Sequence, residues 1–194
     1  AGISETVLTV SGGTFNHNNG TVKFSSNGYY THTYTVDVST SLTLYNIDSS
    51  VTCGYVNDVS TLSPASGDTI IAAGNFIQTD GALAGTWEAQ GNVIIGAGAD
   101  GGGGTLTMTG TGSKTYTYTG SGTGAHLRVN NAGISVSANG GTTGLKVTLF
   151  SLLAGTFTAP TGTLEIGRNA GISETVLTVS GGTFNHNNGT VKFS

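Results

Sequence analysis

The stretch "GTFTAPTGTLEI" at residues 155–166 is followed 27 residues later by "GTFNHNNGTVKF" at residues 182–193. Both read Gly-Thr-Phe, four polar or turn-forming residues, Gly-Thr, and an apolar-charged-apolar triplet. Side chains alternate along a strand, so Leu164 and Ile166 point to one side and Glu165 to the other. Recurrence at this interval predicts the coil of a β-solenoid, which buries its apolar side only by stacking on the next coil.

The second motif lies within a longer repeat. Residues 1–25 and 170–194 are identical and are offset by 169 residues. We therefore expect one full 169-residue unit, residues 1–169, followed by the first coil of the next identical unit, residues 170–194. A shorter relative of the motif, "GTWEAQGNVII", begins at Gly85. At ~20–27 residues per coil, the unit holds roughly six to eight coils.

The composition predicts an all-β chain with many tight turns. Charged residues make up only 8% of the sequence, which leaves too few for the exposed faces of helices, and there are 33 glycines. The expected fold is a right-handed parallel β-helix, because parallel crossovers strongly favour that hand. Tandem antiparallel β-sandwich modules are the competing interpretation. Residues 49–69 lack clean alternation, and we expect a protruding loop there.

The motif assigns structural roles to individual residues. Glu165 and Lys192 hold the same motif position on successive coils, so they are expected to lie side by side as an inter-coil register pair. Two further groups are expected in the core and at the corners. The inward residues are Phe15, Val22, Phe24, Phe157, Leu164, Ile166 and Phe184, and the corner glycines are Gly13, Gly20, Gly155 and Gly162.

Charge and hydropathy argue against two kinds of partner. The net charge is −4 and the six Lys and Arg residues are scattered, whereas a nucleic-acid binder clusters them. The longest apolar run, "LFSLLAG" at residues 149–155, is too short to cross a bilayer, so no membrane span is expected in this segment. Cys53 is the only cysteine and is expected to be a small buried hydrophobe rather than a nucleophile.

No local pattern indicates catalysis, a cofactor or a metal, and we expect none of the three. The aspartates, including Asp80 and Asp100, occur singly. Asp100 in "GAGADGGGGTL" partly resembles calcium-binding glycine-aspartate repeats, but a plain glycine corner explains it better. His126 and Arg128 share one side of a strand and form a possible anion contact. His17 and its duplicate His186 lie in a turn without metal-binding partners nearby.

The repeated motif resembles the tandem repeats of very large bacterial surface proteins with β-solenoid stalks. This resemblance implies an extracellular adhesin-like or filament-forming role and assigns no catalytic residues. We expect a structural repeat whose identical units stack end to end, at the cell surface or outside it. The alternatives are a carbohydrate-binding adhesin using Tyr55 of the 49–69 loop and surface glycans, a polysaccharide-acting enzyme, and an ice-binding protein with ranks of Thr-x-Thr.

Overall fold

The structure is a computed structural model that describes residues 3–54, 58–140, 144–167 and 174–194. Within these ranges the chain forms strands and no helix. The strands are β1 (Ile3–Val10), β2 (Thr21–Gly28), β3 (His32–Val38), β4 (Ser41–Leu44), β5 (Asn46–Cys53), β6 (Thr61–Pro64), β7 (Thr69–Ala72), β8 (Phe76–Leu83), β9 (Thr86–Ala89), β10 (Val93–Ala99), β11 (Thr105–Met108), β12 (Gly112–Tyr118), β13 (His126–Asn139), β14 (Leu145–Val147), β15 (Phe150–Thr158), β16 (Thr163–Ile166), β17 (Leu177–Val179), β18 (Thr183–Asn185) and β19 (Thr190–Phe193).

The strands stack into three ladders, which we call faces I, II and III. Face I contains β4, β7, β9, β11, the start of β13, the start of β15, and β17. Face II contains β2, β5, the start of β8, β10, β12, the end of β13, the end of β15, and β18. Face III contains β1, β3, β6, the end of β8, two isolated bridges, β14, β16 and β19.

From β2 onward the chain visits the faces in the repeating order II, III, I, and each return to a face lies one level further along. Every strand pairing between described residues is parallel. The protein is therefore an all-β parallel β-helix, as the motif predicted. Antiparallel sandwich modules are the wrong interpretation, because they join neighbouring strands through hairpins.

The core is a set of apolar ladders that run along the solenoid axis. On face I, one ladder passes from Ile70 through Trp87, Leu106 and Leu127 to Phe150, all of them in register and buried. Corresponding ladders line faces II and III, so the inside of each coil contacts the coils above and below. Burying a large side chain of this kind contributes about 1.5–3 kcal/mol. Stability therefore depends on stacking rather than on any single coil.

The expectation of a protruding loop over the whole of residues 49–69 is wrong, because about half of that range lies in strands. Strand β5 continues to Cys53, and β6 and the first residue of β7 also fall within the range. Val51 and Leu62 are buried in the core. The alternation of apolar and polar residues is hard to see in this part of the sequence, because Ser49 and Pro64 occupy inward positions that more often hold a branched apolar side chain. Residues 54–60 and 65–68 connect the strands here, and residues 55–57 lie outside the described residues.

Two of the four predicted corner glycines have the positive φ angle that such corners need. Gly13 has φ 77° and Gly155 has φ 87°. At the turn before Gly20 the positive φ angles belong instead to Asn18 and Asn19, because Asn also tolerates this conformation. Gly20 and Gly162 each lie directly before a strand, and their carbonyls accept hydrogen bonds from the adjacent coil.

Gly155→Ala is expected to destabilise the fold by about 2 kcal/mol or more. Residue 155 has a positive φ angle, which disfavours any side chain. A Cβ added there would lie 2.5 Å from the Asn131 carbonyl oxygen and 2.7 Å from the Ile134 side chain. Gly103→Ala is the matched control, since its φ is not in the positive range and no atom lies within 4 Å of its added Cβ. Urea unfolding of both variants measures the difference. Equal stability of the two variants would contradict the assigned corner.

Candidate stacking interface

The described residues of the second copy, 174–194, form a terminal coil that stacks on residues 150–167. Strand β17 pairs with the start of β15, β18 with the end of β15, and β19 with β16. Backbone hydrogen bonds join the two coils on all three faces, with N···O distances of 2.9 Å from Phe150 to Val176, 2.8 Å from Ala159 to Asn185, and 2.9 Å from Thr190 to Gly162. The described part of the second copy is therefore bonded to the coil before it on all three faces.

Aromatic side chains stack at the centre of this interface. The rings of Phe157 and Phe184 lie in register, with centroids 6.0 Å apart and planes 17° from parallel. The Phe150 ring packs against both of them, with its centroid 4.5 Å from that of Phe157 and 5.9 Å from that of Phe184. Phe157, Leu164 and Ile166 are buried, and Phe184 is half-buried because no further coil covers it. All four point inward, as the motif predicted.

A charged pair lies on the outer side of the same interface. The Lys192 ammonium is 3.2 Å from the Glu165 carboxylate, in register across β16 and β19, which is the pair that the motif predicted. Ser194 donates a second hydrogen bond to Glu165 at 3.3 Å. Partial burial tends to raise the pKa of Glu165, but the hydrogen bond and charge of Lys192, with Ser194 and Lys146, lower the pKa overall.

Both ends of the described solenoid present open strand edges with apolar side chains beside them. Among the described residues, β1, β2 and β4 at one end pair with a strand on one side only, and so do β17, β18 and β19 at the other end. At the end formed by β17, β18 and β19, the Val179 side chain is 48% exposed and that of Phe193 is 56% exposed. At the end formed by β1, β2 and β4, an open cavity of about 500 Å³ is lined by Val7, Phe15 and Val22. These edges are where another coil would bond.

The two copies of the motif differ in burial. Phe24 is buried and Val22 packs against the core, as expected. The prediction that Phe15 lies in the core is wrong, since its side chain is 38% exposed. Residues 14–16 form no strand, whereas the identical residues 183–185 form β18. Phe184 has β15 beneath it, and no described coil lies beneath Phe15.

The fold brings together two carboxylates that the sequence reading treated as isolated. Asp80 pairs with Gly98 on the next coil, which places Asp100 close enough for the two charges to repel. Partial burial and then the charge of Asp80 raise the pKa of Asp100. Partial burial also raises the pKa of Asp80. A hydrogen bond from the Gly81 backbone lowers this pKa, but by less than burial raises it. Among the described residues, no three His, Cys, Asp or Glu side chains converge as metal ligands would.

His126 and Arg128 point outward from the same strand, as predicted. His126 bridges two coils, with Nδ1 3.3 Å from the Thr105 hydroxyl and Nε2 3.0 Å from the Ser151 hydroxyl. Partial burial, followed by the charge of Arg128, lowers the pKa of His126, which favours the neutral ring. The cluster acts as a hydrogen-bonded link between coils.

Threonines form one in-register rank on face I. Thr69, Thr86 and Thr105 lie side by side on successive coils. An ice-binding face of the Thr-x-Thr type needs a second rank two residues further along each strand. That rank is interrupted, because Ile71 and Glu88 occupy two of its positions.

Three other sequence expectations concern single residues. His17 lies in a turn whose backbone bond, from Gly20 N–H to the His17 carbonyl, is 2.8 Å long. Cys53 is half-buried rather than fully buried at the end of β5. Tyr55, considered as a sugar-stacking residue, lies outside the described residues.

Comparisons with known proteins give no relative. No family model matches the chain, and neither does any curated protein or solved structure. The described residues contain no helix of the length and hydropathy that crossing a membrane requires.

Glu165→Gln is expected to lower the free energy of unfolding at pH 7 by about 0.2–1 kcal/mol, the range for partly exposed ion pairs. The folded-state pKa of Glu165 is depressed, so its stabilisation is present above the ordinary glutamate value of 4.5 and is lost as the pH falls through the lower folded value. The difference from the parent should therefore disappear in acid. Denaturation at several pH values measures it, and a pH-independent difference would contradict the ion-pair assignment.

Proposed function

We propose that this chain is a structural repeat of an extracellular filament or surface stalk, built from identical β-solenoid units stacked end to end. The observation that carries the proposal is the terminal coil. The opening sequence of a unit occurs a second time, and its described part, residues 174–194, is bonded to the end of the unit on three faces. The partners are identical units in a head-to-tail array, within one polypeptide or between neighbouring subunits.

The physical properties of the two ends support this role. An open sheet edge that stays uncovered is an aggregation hazard, and natural proteins cap, charge or shorten such edges. Here both ends keep exposed apolar side chains next to open edges, and the outer sides carry few charges to repel an incoming coil. A neighbouring unit satisfies the hydrogen bonds of each edge and buries its apolar side chains. Stacking of this kind gives a stiff rod.

A carbohydrate-binding adhesin is the second candidate, and exposed tyrosines favour it. Tyr29 and Tyr30 follow β2 and are 72% and 59% exposed, and the Tyr29 ring lies near Gly54, in the connection that also contains Tyr55. Exposed aromatic rings offer stacking surfaces for sugars. Binding to a glycan array that is lost in the variant Tyr29→Ala, Tyr30→Ala would favour this candidate. A rod that binds no glycan would favour the purely structural role.

The filament role is tested with polypeptides that contain one, three and six consecutive 169-residue units. We expect unbranched rods in electron micrographs, lengthening by about 35 Å for each unit added, because strands in adjacent coils lie about 4.8 Å apart. We also expect unfolding to shift to higher denaturant concentrations as units are added, since each joint adds stabilising contacts.

Two matched variants control this experiment. Leu164→Asp places a charge in the buried ladder of the stacking interface and should interrupt the rods, whereas the neighbouring outward change Glu165→Gln should leave them intact. Circular dichroism of the single chain shows whether either variant still folds. Separate globular beads joined by flexible linkers, in the unmodified protein, would rule out a stacked array.

A further inference from the structure

The two identical copies occupy different faces of the solenoid. In the first copy, Leu8–Val10 belong to β1 on face III, and Thr21–Phe24 belong to β2 on face II. In the second copy the same residues are β17 on face I and β19 on face III. Both of these strand segments of the second copy therefore lie one face further along the winding than the same residues of the first copy.

The corner and turn residues have nearly the same φ angles in both copies. The turn residues Asn18 and Asn19 have φ angles of 46° and 58°, and their duplicates Asn187 and Asn188 have 53° and 56°. Gly13 and its duplicate Gly182 have φ angles of 77° and 75°. The sequence thus folds into the same arc twice, and what changes is the position of that arc around the axis.

Counting coils gives the size of the displacement. The face II strands from β2 to β18 mark seven complete coils, through β5, β8, β10, β12, β13 and β15. Thr21 begins β2, and its duplicate Thr190 begins β19, which lies one face after β18. One 169-residue unit therefore winds through seven and one third coils.

The ladders of the two copies are compatible with one continuous array. In the second copy Val191 stacks on Leu164 below, and in the first copy Val22, the same residue, stacks beneath Ile47. The lysine behaves in the same way, since Lys192 binds Glu165 below and Lys23 lies 3.1 Å from a carboxylate oxygen of Asp48 above. In an array each such lysine has a carboxylate on both neighbouring coils.

From these observations we propose that successive units are related by a screw of one third of a turn, about 120°, with a rise of about 35 Å. This inference rests on the proposed array. Three units then span 22 coils, about 106 Å, before the same face recurs on the same side. An outward group such as His126 with Arg128 on face I is displayed on three sides in turn. The filament therefore offers equivalent contacts in three directions, which suits lateral bundling or attachment from any side.

Cross-linking in the chain itself tests the two positions of the arc. In a Cys53→Ser background, one variant carries Lys23→Cys with Asp48→Cys, and the other carries Lys192→Cys with Glu165→Cys. These are in-register pairs on neighbouring strands, close enough for a disulfide, and the two lysines are the same residue of the repeat. Mass analysis of oxidised protein should show the bond in both variants. If the 165–192 bond forms and the 23–48 bond does not, the displacement between copies is wrong, while the proposed stacking stands.

Imaging of a labelled array tests the screw directly. A six-unit polypeptide carries Cys53→Ser and Ser113→Cys in every unit, because Ser113 is exposed, and each thiol is coupled to a gold particle. We expect labels every 35 Å or so along the rod, with those on the same side recurring at about 106 Å. Rods with every label on one side would overturn the screw and leave the filament role intact. The absence of rods would overturn both proposals.

Discussion

Everything in this structure depends on backbone hydrogen bonds between one coil and the next. A coil has no partner strand of its own, so its amide and carbonyl groups find partners only on neighbouring coils. A buried polar group without a partner costs about 1–3 kcal/mol, and a coil presents many of them. The stacking of strands such as β16 and β19 is therefore a condition for the fold to exist, and the ends of any finite stack are its weak points.

The same constraint explains why apolar side chains are distributed as they are. Middle coils bury Trp87, Phe76 and Tyr116 completely, because each is covered from above and below. Terminal coils have one covered side, and there identical residues differ, as Phe24 is buried and its duplicate Phe193 is 56% exposed. This asymmetry is what connects the fold to the proposed function, since a further coil at either end restores the environment found in the middle.

Alternation and motif spacing were enough to predict the fold class, the inward position of Leu164 and the Glu165–Lys192 pair. They failed where the inward position is not apolar, as at Ser49 in β5. They also failed at Phe15. Its neighbours in the sequence are the same as those of Phe184, and the two residues differ only in that no described coil lies beneath Phe15. On face I the coil length varies from 17 residues between Thr69 and Thr86 to 28 between Ser41 and Thr69, so neither the Asp80–Asp100 neighbourhood nor the one-third turn was readable from intervals alone.

The most direct test of in-register stacking is X-ray fibre diffraction from aligned arrays of several units. Strands that run around the axis, with coils stacked along it, place the inter-strand reflection near 4.8 Å on the meridian, parallel to the fibre. A stacked solenoid gives the reflection at that position. A 4.8 Å reflection on the equator would mean that the strands run along the fibre, and it would contradict the stacked solenoid.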